Sequence, residues 1–169
     1  MADIRLAQPA DLPHLPEIEK QAATLFEPYG LGELFAAETV SLDAYAQYQR
    51  EGRLWVAVAD GKPVGFIIAS TVDDDAHINE VDVLPAYGGR GIGRALVETV
   101  CAWAKAQQLQ RITLSTQANI PWNGPFYAKL GFAVLPESDW TPAYHALRQH
   151  EIDMGLPVQD RVFMVRSLE

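Results

Sequence analysis

The sequence predicts an α/β fold of the α+β kind, a single domain with one mixed, mostly antiparallel sheet flanked by helices. Three observations predict it. Two β-rich runs, residues 54–59 and 64–69, are joined by Asp60-Gly61-Lys62, a tight hairpin in which Gly61 takes the positive φ. A strand ending at Leu84 runs through a glycine cluster into an amphipathic helix and then into another strand, and that succession requires a parallel crossover. No internal repeat, low-complexity run or Gly/Ser linker interrupts the 169 residues. Residues 1–169 are therefore read as one domain, long enough to bury about two thirds of its unfolded surface.

Each element follows from its spacing. Ile4 and Leu6 alternate with polar neighbours as in a short strand. Leu12, Leu15, Ile18 and Ala22 then recur at three and four, a helix face with Gln8 or Asp11 near its start. Phe26, Pro28, Gly30 and Gly32 mark an irregular aromatic loop. Leu42, Tyr45 and Tyr48 form a second helix capped by Ser41. After the first hairpin, Asp73-Asp74-Asp75 turns the chain into the strand 76–84. Ile92, Leu96, Val100 and Trp103 or Ala104 define a helix over 91–107, and residues 112–115 read as the strand beyond it. A short helix over 121–129 is ended by Gly131 and followed by a strand over 132–135. The long connection 136–159 carries a helical Tyr144, Leu147, Glu151, Met154 pattern, and 162–166 closes the chain as an edge or an inserted strand.

Composition excludes several functions. The formal net charge is −9, which disfavours a sequence-independent grip on nucleic acid or anionic membrane, since both need basic faces. A cationic or neutral substrate fits better. The single Cys101 makes no internal disulfide, and at an apolar-face spacing it reads as a packed core thiol. No Cys/His group has zinc-ligand spacing, so no metal is expected. The opening residues lack an apolar signal region, and the apolar stretch 64–69 is too short to span a bilayer. A cytoplasmic setting is expected.

The most informative segment is 81–96, Val81-Asp82-Val83 running through Gly88-Gly89-Arg90-Gly91-Ile92-Gly93-Arg94 into the helix. Glycines let consecutive N–H groups converge on phosphate oxygens at the positive end of a helix, and Arg90 and Arg94 add charge-assisted contacts. No lysine followed by Ser or Thr is present, so a Walker loop is disfavoured. The Gly-x-Gly-x-x-Gly fingerprint also fails, because Arg94 or Leu96 falls at its third glycine.

The segment resembles the acyl-CoA pyrophosphate motif of the GCN5-related N-acetyltransferase (GNAT) family, Gln/Arg-x-x-Gly-x-Gly/Ala. It departs from that motif at Gly88, where Arg90 is the candidate substitute. The family's later Asn, Tyr and Gly-Phe are matched by Asn119 or Asn123, Tyr127 and Gly131-Phe132. Which asparagine meets pantetheine stays open. The likeness covers nearly the whole chain and implies the acyl-CoA N-acyltransferase fold, with acetyl-CoA as co-substrate. It also implies direct transfer of the acetyl group to a primary amine, without an acyl-enzyme. A homodimer is left open, because dimers are common in the family. The rival is a non-catalytic acyl-CoA-binding or sensing module on the same fold.

In this family Val81 to Val83 would present main-chain groups to pantetheine, with the Val83 N–H polarising the thioester carbonyl. Tyr127 would be the general acid. A thiol titrates at about 8.5 and a phenol at about 10, so a hydroxyl beside the sulfur can protonate the departing thiolate. The incoming ammonium must lose a proton. Strand alternation places Glu80 and Asp82 on one side with Ile78, and a carboxylate inside a strand is costly unless it is hydrogen-bonded or used. Glu80 is the candidate base or ammonium anchor, and His77 is its rival. The plainer reading of His77 is a solvated residue beside a solvated Asp73-Asp74-Asp75 turn. His14, His145 and His150 read as surface residues. Residues 26–29, Trp122 and the 136–159 connection would set acceptor choice, and Glu27, Glu137 and Asp139 there suit a cation.

Overall fold

The computed structural model describes residues 2–37 and 39–169. Seven strands form one mixed sheet flanked by helices, in the order β1-β2-β3-β4-β5-β7-β6. The strands are β1 (Asp3–Leu6), β2 (Leu54–Ala59), β3 (Lys62–Val72), β4 (Asp75–Val83), β5 (Arg111–Gln117), β6 (Ala133–Val134) and β7 (Arg161–Ser167). The helices are α1 (Leu15–Ala23), α2 (Gly32–Ala37), α3 (Leu42–Arg50), α4 (Ile92–Ala106), α5 (Gly124–Lys129) and α6 (Pro142–Asp153). Packing divides the chain into two compact units, Met1–Ala69 with Glu80–Val100, and Ser70–Asn79 with Cys101–Glu169. Among the described residues no helix is long and apolar enough to cross a membrane.

In the first unit β1 pairs antiparallel with β2, and β2 with β3. The β2–β3 hairpin closes on Asp60 and Gly61, at φ 53° and 76°, the doubly positive pair that a two-residue turn matched to strand twist requires. Leu15, Ile18, Tyr45, Leu54, Val56, Phe66 and Ile68 form its core. Tyr45 meets Phe66 edge to face at 5.6 Å. The cap on α3 is the predicted one, since the Ser41 hydroxyl accepts the Ala44 N–H at 3.1 Å. The aromatic segment predicted as an irregular loop instead holds a 3₁₀ turn, Thr24–Tyr29, and the short α2. Phe26 packs on Phe35 at 4.6 Å, which supplies the apolar contact that orders it.

In the second unit β4 runs parallel to β5, with Ala76, His77 and Ile78 opposite Ile112, Thr113 and Leu114. This is the crossover expected from the succession through α4. β7 pairs antiparallel with both β5 and β6, so the closing strand is inserted and β6 is the edge. Tyr144, Phe163 and Leu135 form a core beneath Trp140. Glu151, buried on α6, accepts hydrogen bonds from Arg148, Arg161 and Ser115 and ties α6 to β5 and β7. Cys101 is buried, as its spacing on α4 predicts.

Candidate active site

The strand carrying Glu80 feeds the glycine turn directly. After β4 the Leu84 N–H donates to the Val64 carbonyl at 2.8 Å. A single 3₁₀ turn, Pro85–Tyr87, then leads to Gly88. Gly89 and Gly91 have φ of +73° and +81°, and nothing stands within 4 Å of where a Cβ would be. Their backbone conformation therefore demands glycine, while the space before them is open. Gly88 has φ −65° and ψ 155°, which any residue adopts. Its departure from the family motif is thus a missing side chain rather than an altered backbone. Arg90 lies over the Tyr87 ring at 5.0 Å and donates to the Ala86 carbonyl at 3.4 Å. Both Arg90 and Arg94 are exposed, Gly93 is half-buried, and Ile92 anchors the first turn of α4 in the core. Main-chain N–H groups in the first turn of a helix lack partners within it. Together with two guanidinium groups they fit a diphosphate.

Val81 and Val83 are half-buried. On β3, Gly65 permits the close approach of β4, because a Cβ there would stand 3.0 Å from the Asp82 carbonyl oxygen. On the Glu80 side of β4, carboxylate oxygens of Glu19, Glu80 and Asp82 lie within 4.8 Å of one another. Among the described residues this is the group whose spacing could share a cation. Glu19 sits on α1, 4% exposed. Its Oε1 accepts the Tyr45 hydroxyl at 2.5 Å, and both its oxygens accept the Val40 N–H at 3.1 Å. Burial pushes Glu19 up to about 7, aided by the Glu80 charge and opposed by the Tyr45 and Val40 hydrogen bonds. Asp82 is raised well above the usual carboxylate range, first by burial, then by the charge and hydrogen bond of Glu80 and the charge of Glu19. Its Oδ2 is buried without a hydrogen-bond partner.

Glu19 and Tyr45 were not predicted as site residues. The available signal was that Glu19 lies four residues after Leu15, on the apolar stripe of α1, where an acid is out of place.

Tyr127, Asn119 and Asn123 belong to the second unit. Tyr127 is buried on α5, with its ring edge-on to Phe126 at 5.2 Å and to Phe132 at 5.8 Å. α5 begins at Gly124, later than predicted, and a Cβ at Gly124 would collide with the Ala118 carbonyl. Asn119 is exposed. Asn123 is half-buried, its Nδ2 donating to the Trp122 carbonyl at 3.3 Å and its Oδ1 buried without a partner. The Oε1 of Gln117, at the end of β5, is likewise buried without one.

His77 is not the solvated residue that its neighbouring aspartates imply. It is 6% exposed, and its Nδ1 lies 2.8 Å from the Thr113 hydroxyl. Thr113 is 2.9 Å from the Tyr144 hydroxyl, which donates to Asp75 at 2.8 Å. Arg111 closes the chain with two bonds to Asp75. Asp75 is therefore buried in an ion pair, and only Asp73 and Asp74 form a solvated turn. With Nδ1 protonated, His77 gives to Thr113, Thr113 to Tyr144 and Tyr144 to Asp75, so every hydroxyl in the chain is used. Burial pushes His77 down to about 4, against the pull of Glu151 and Asp75. A neutral histidine held in this way is a structural element. His14, His145 and His150 are exposed, as predicted.

The sequence profile of the Acetyltransferase (GNAT) family matches residues 18–132. The streptothricin acetyltransferase of Escherichia coli is 37% identical over 79 residues, covering 46% of this chain and 45% of its own length. An uncharacterised N-acetyltransferase of Mycobacterium bovis is 30% identical over 103 residues, covering 59% and 66%. The N-acetylaspartate synthetase of Danio rerio is 27% identical over 104 residues, covering 60% and 37%. The chain thus spans 37% to 66% of the length of these curated relatives. Among solved structures, the PaiA N-acetyltransferase of Thermoplasma acidophilum in complex with coenzyme A matches with a TM-score of 0.75 and 18% identity, over 99% of both chains. The N-acetylglutamate synthase of Neisseria gonorrhoeae, complexed with coenzyme A and N-acetylglutamate, matches with 0.75 and 19%, over all of this chain and 35% of its own. Those structures share the fold, the profile covers well over half of the sequence, and the chain therefore belongs to the acetyltransferase (GNAT) family.

Proposed function

We propose that the protein transfers an acetyl group from acetyl-CoA directly to a primary amine of a small or cationic acceptor. The observation that carries this reading is the continuity of β4 with the glycine turn. A single strand bears the clustered carboxyl of Glu80 and then delivers two positive-φ glycines and two exposed arginines to the start of a helix.

Acetyl-CoA, when bound, supplies the acetyl group as an activated thioester. In this reading the backbone of Gly89 to Gly93, with Arg90 and Arg94, holds the diphosphate, and the Gly88 backbone contributes to the same turn. Val81 to Val83 present main-chain groups to pantetheine, with the Val83 N–H serving the acetyl carbonyl. The buried, unpartnered Oδ1 of Asn123 favours it over the exposed Asn119 as the asparagine that accepts a pantetheine amide N–H. Glu80 binds the acceptor ammonium and takes its proton, and the Tyr127 hydroxyl provides the proton that leaves with the thiol. The acidic cluster and the −9 net charge favour a cationic acceptor. The relatives carry different names, streptothricin acetyltransferase and N-acetylaspartate synthetase among them, so kinship leaves the acceptor to experiment.

Thiol release from acetyl-CoA over a panel of primary amines, with matched alcohols and carboxylates, tests the reading. Acceleration by amines alone, with a mass gain on the amine equal to one acetyl group, is expected. Tight coenzyme binding with no acceleration by any acceptor would favour a binding or sensing module.

A further inference from the structure

Glu80 does not stand alone, and its neighbours are arranged in a way that packing does not require. Glu19 projects from the apolar stripe of α1, between the buried Leu15 and Ile18 and the buried Ala22. Its carboxyl is held from two directions, by the Tyr45 hydroxyl of α3 and by the Val40 N–H just before that helix. Both donors would be met equally well by the amide oxygen of a glutamine, and an amide is far cheaper to bury than a carboxylate. The charge is what a glutamate adds. That charge acts on β4, because a carboxylate oxygen of Glu19 lies within 4.8 Å of one on Glu80 and one on Asp82.

We propose that Glu19, clamped by Tyr45 and Val40, is a positioning residue that sets the proton affinity of Glu80, which acts as base when Glu19 behind it is ionised. This rests on the reading of Glu80 as the acceptor's base. The titratable groups at this place are Glu19 from α1, Tyr45 from α3, and Glu80 and Asp82 from β4, while β2 and β3 contribute the apolar Val56, Phe66 and Ile68. Carboxyls this close titrate as a coupled group, so their protons come off in steps that belong to the group. Burial and the neighbouring charges of Glu80 and Glu19 raise Asp82 well above the usual carboxylate range, which favours its protonated form, hydrogen-bonded to Glu80. Ionised Glu19 then makes Glu80 a stronger base than an isolated carboxylate. In the step itself, an N–H bond of the acceptor ammonium breaks and an O–H bond forms on Glu80. The electron pair stays on nitrogen, Glu19 is unchanged, and the proton passes later to solvent. The Tyr45 hydroxyl stabilises the ionised form of Glu19, which places its removal and the removal of Glu19 on opposite sides of the pH scale.

The test is the pH profile of kcat/KM for the amine in the native protein, Glu19→Gln, Tyr45→Phe and Glu80→Gln. Glu19→Gln should move the ascending limb to lower pH by about one unit and lower its plateau by about ten-fold, with the KM for acetyl-CoA unchanged. Tyr45→Phe should move the same limb to higher pH. Shifts of opposite sign are not produced by general loosening of the fold. If both variants keep the native midpoint while Glu80→Gln loses turnover, the positioning role is overturned and Glu80 remains the base. If Glu80→Gln keeps native turnover, the reading of Glu80 fails and the inference fails with it. Carbon NMR titration of the Glu80 carboxyl in the protein alone gives a readout independent of turnover. Its midpoint falls in Glu19→Gln if the inference holds, and an unchanged midpoint overturns it.

Discussion

The Tyr45 hydroxyl donates to Oε1 of Glu19 over 2.5 Å and joins α3 to α1 through a carboxyl that lies inside the first core. Glu19 rises from its ordinary 4.5 to about 7 on folding. The folded chain therefore binds more protons than the unfolded chain between these values, and stability should fall as pH rises from about 4.5 to about 7. Allowing for solvent screening, the effect is roughly 2 kcal/mol. Urea unfolding across this window should show the decline in the native protein and a flatter course in Glu19→Gln.

His77 should act in the opposite sense. Its value falls from 6.5 to about 4 on folding, so its contribution is fully present above 6.5 and is lost as pH drops through about 4. The loss is on the order of 3 kcal/mol. His77→Gln keeps a hydrogen-bonding atom for Thr113 but does not titrate, and its unfolding midpoint should vary less between these pH values than the native one.

Tyr127→Phe removes one hydroxyl and leaves the ring between Phe126 and Phe132. Turnover should fall by at least about ten-fold, with acetyl-CoA affinity nearly unchanged, as loss of general acid catalysis requires. Steady-state kinetics beside a coenzyme titration separates this from a packing role, which would leave turnover at the native level.

Glu80→Gln should lose rate most strongly at neutral pH and recover part of it at high pH, where more acceptor is present as free amine. The ratio of native to variant kcat/KM from pH 6 to about 10 measures this. A ratio independent of pH would remove Glu80 from proton transfer.

Contiguous features were legible in the sequence. The Asp60-Gly61 hairpin, the Ser41 cap and the 88–94 glycine turn are each decided by a few adjacent residues, because φ and capping are local properties. Features decided by distant partners were not. β7 inserts beside β5 through a register that pairs Arg111 with Ser167. Asp75 turns inward because Arg111, far along the chain, meets it there, and His77 follows it into the core. The candidate base was visible as a carboxylate inside a strand. Its neighbour Glu19 left one local trace, an acid on the apolar stripe of α1, but its place beside Glu80 is decided by residues far apart in the chain.

The turn following Glu80's strand is proposed to hold the coenzyme, and isothermal titration with acetyl-CoA reads that binding. Dephospho-CoA and the variant Gly91→Val complete the experiment. Gly91 lies at φ +81° with open space before it, so valine strains the turn and places a side chain where the diphosphate would lie. Micromolar binding to the native protein, weakened about ten-fold or more in Gly91→Val with its fold intact, is the predicted result. Absence of binding to the folded native protein, or equal binding to Gly91→Val, would contradict it.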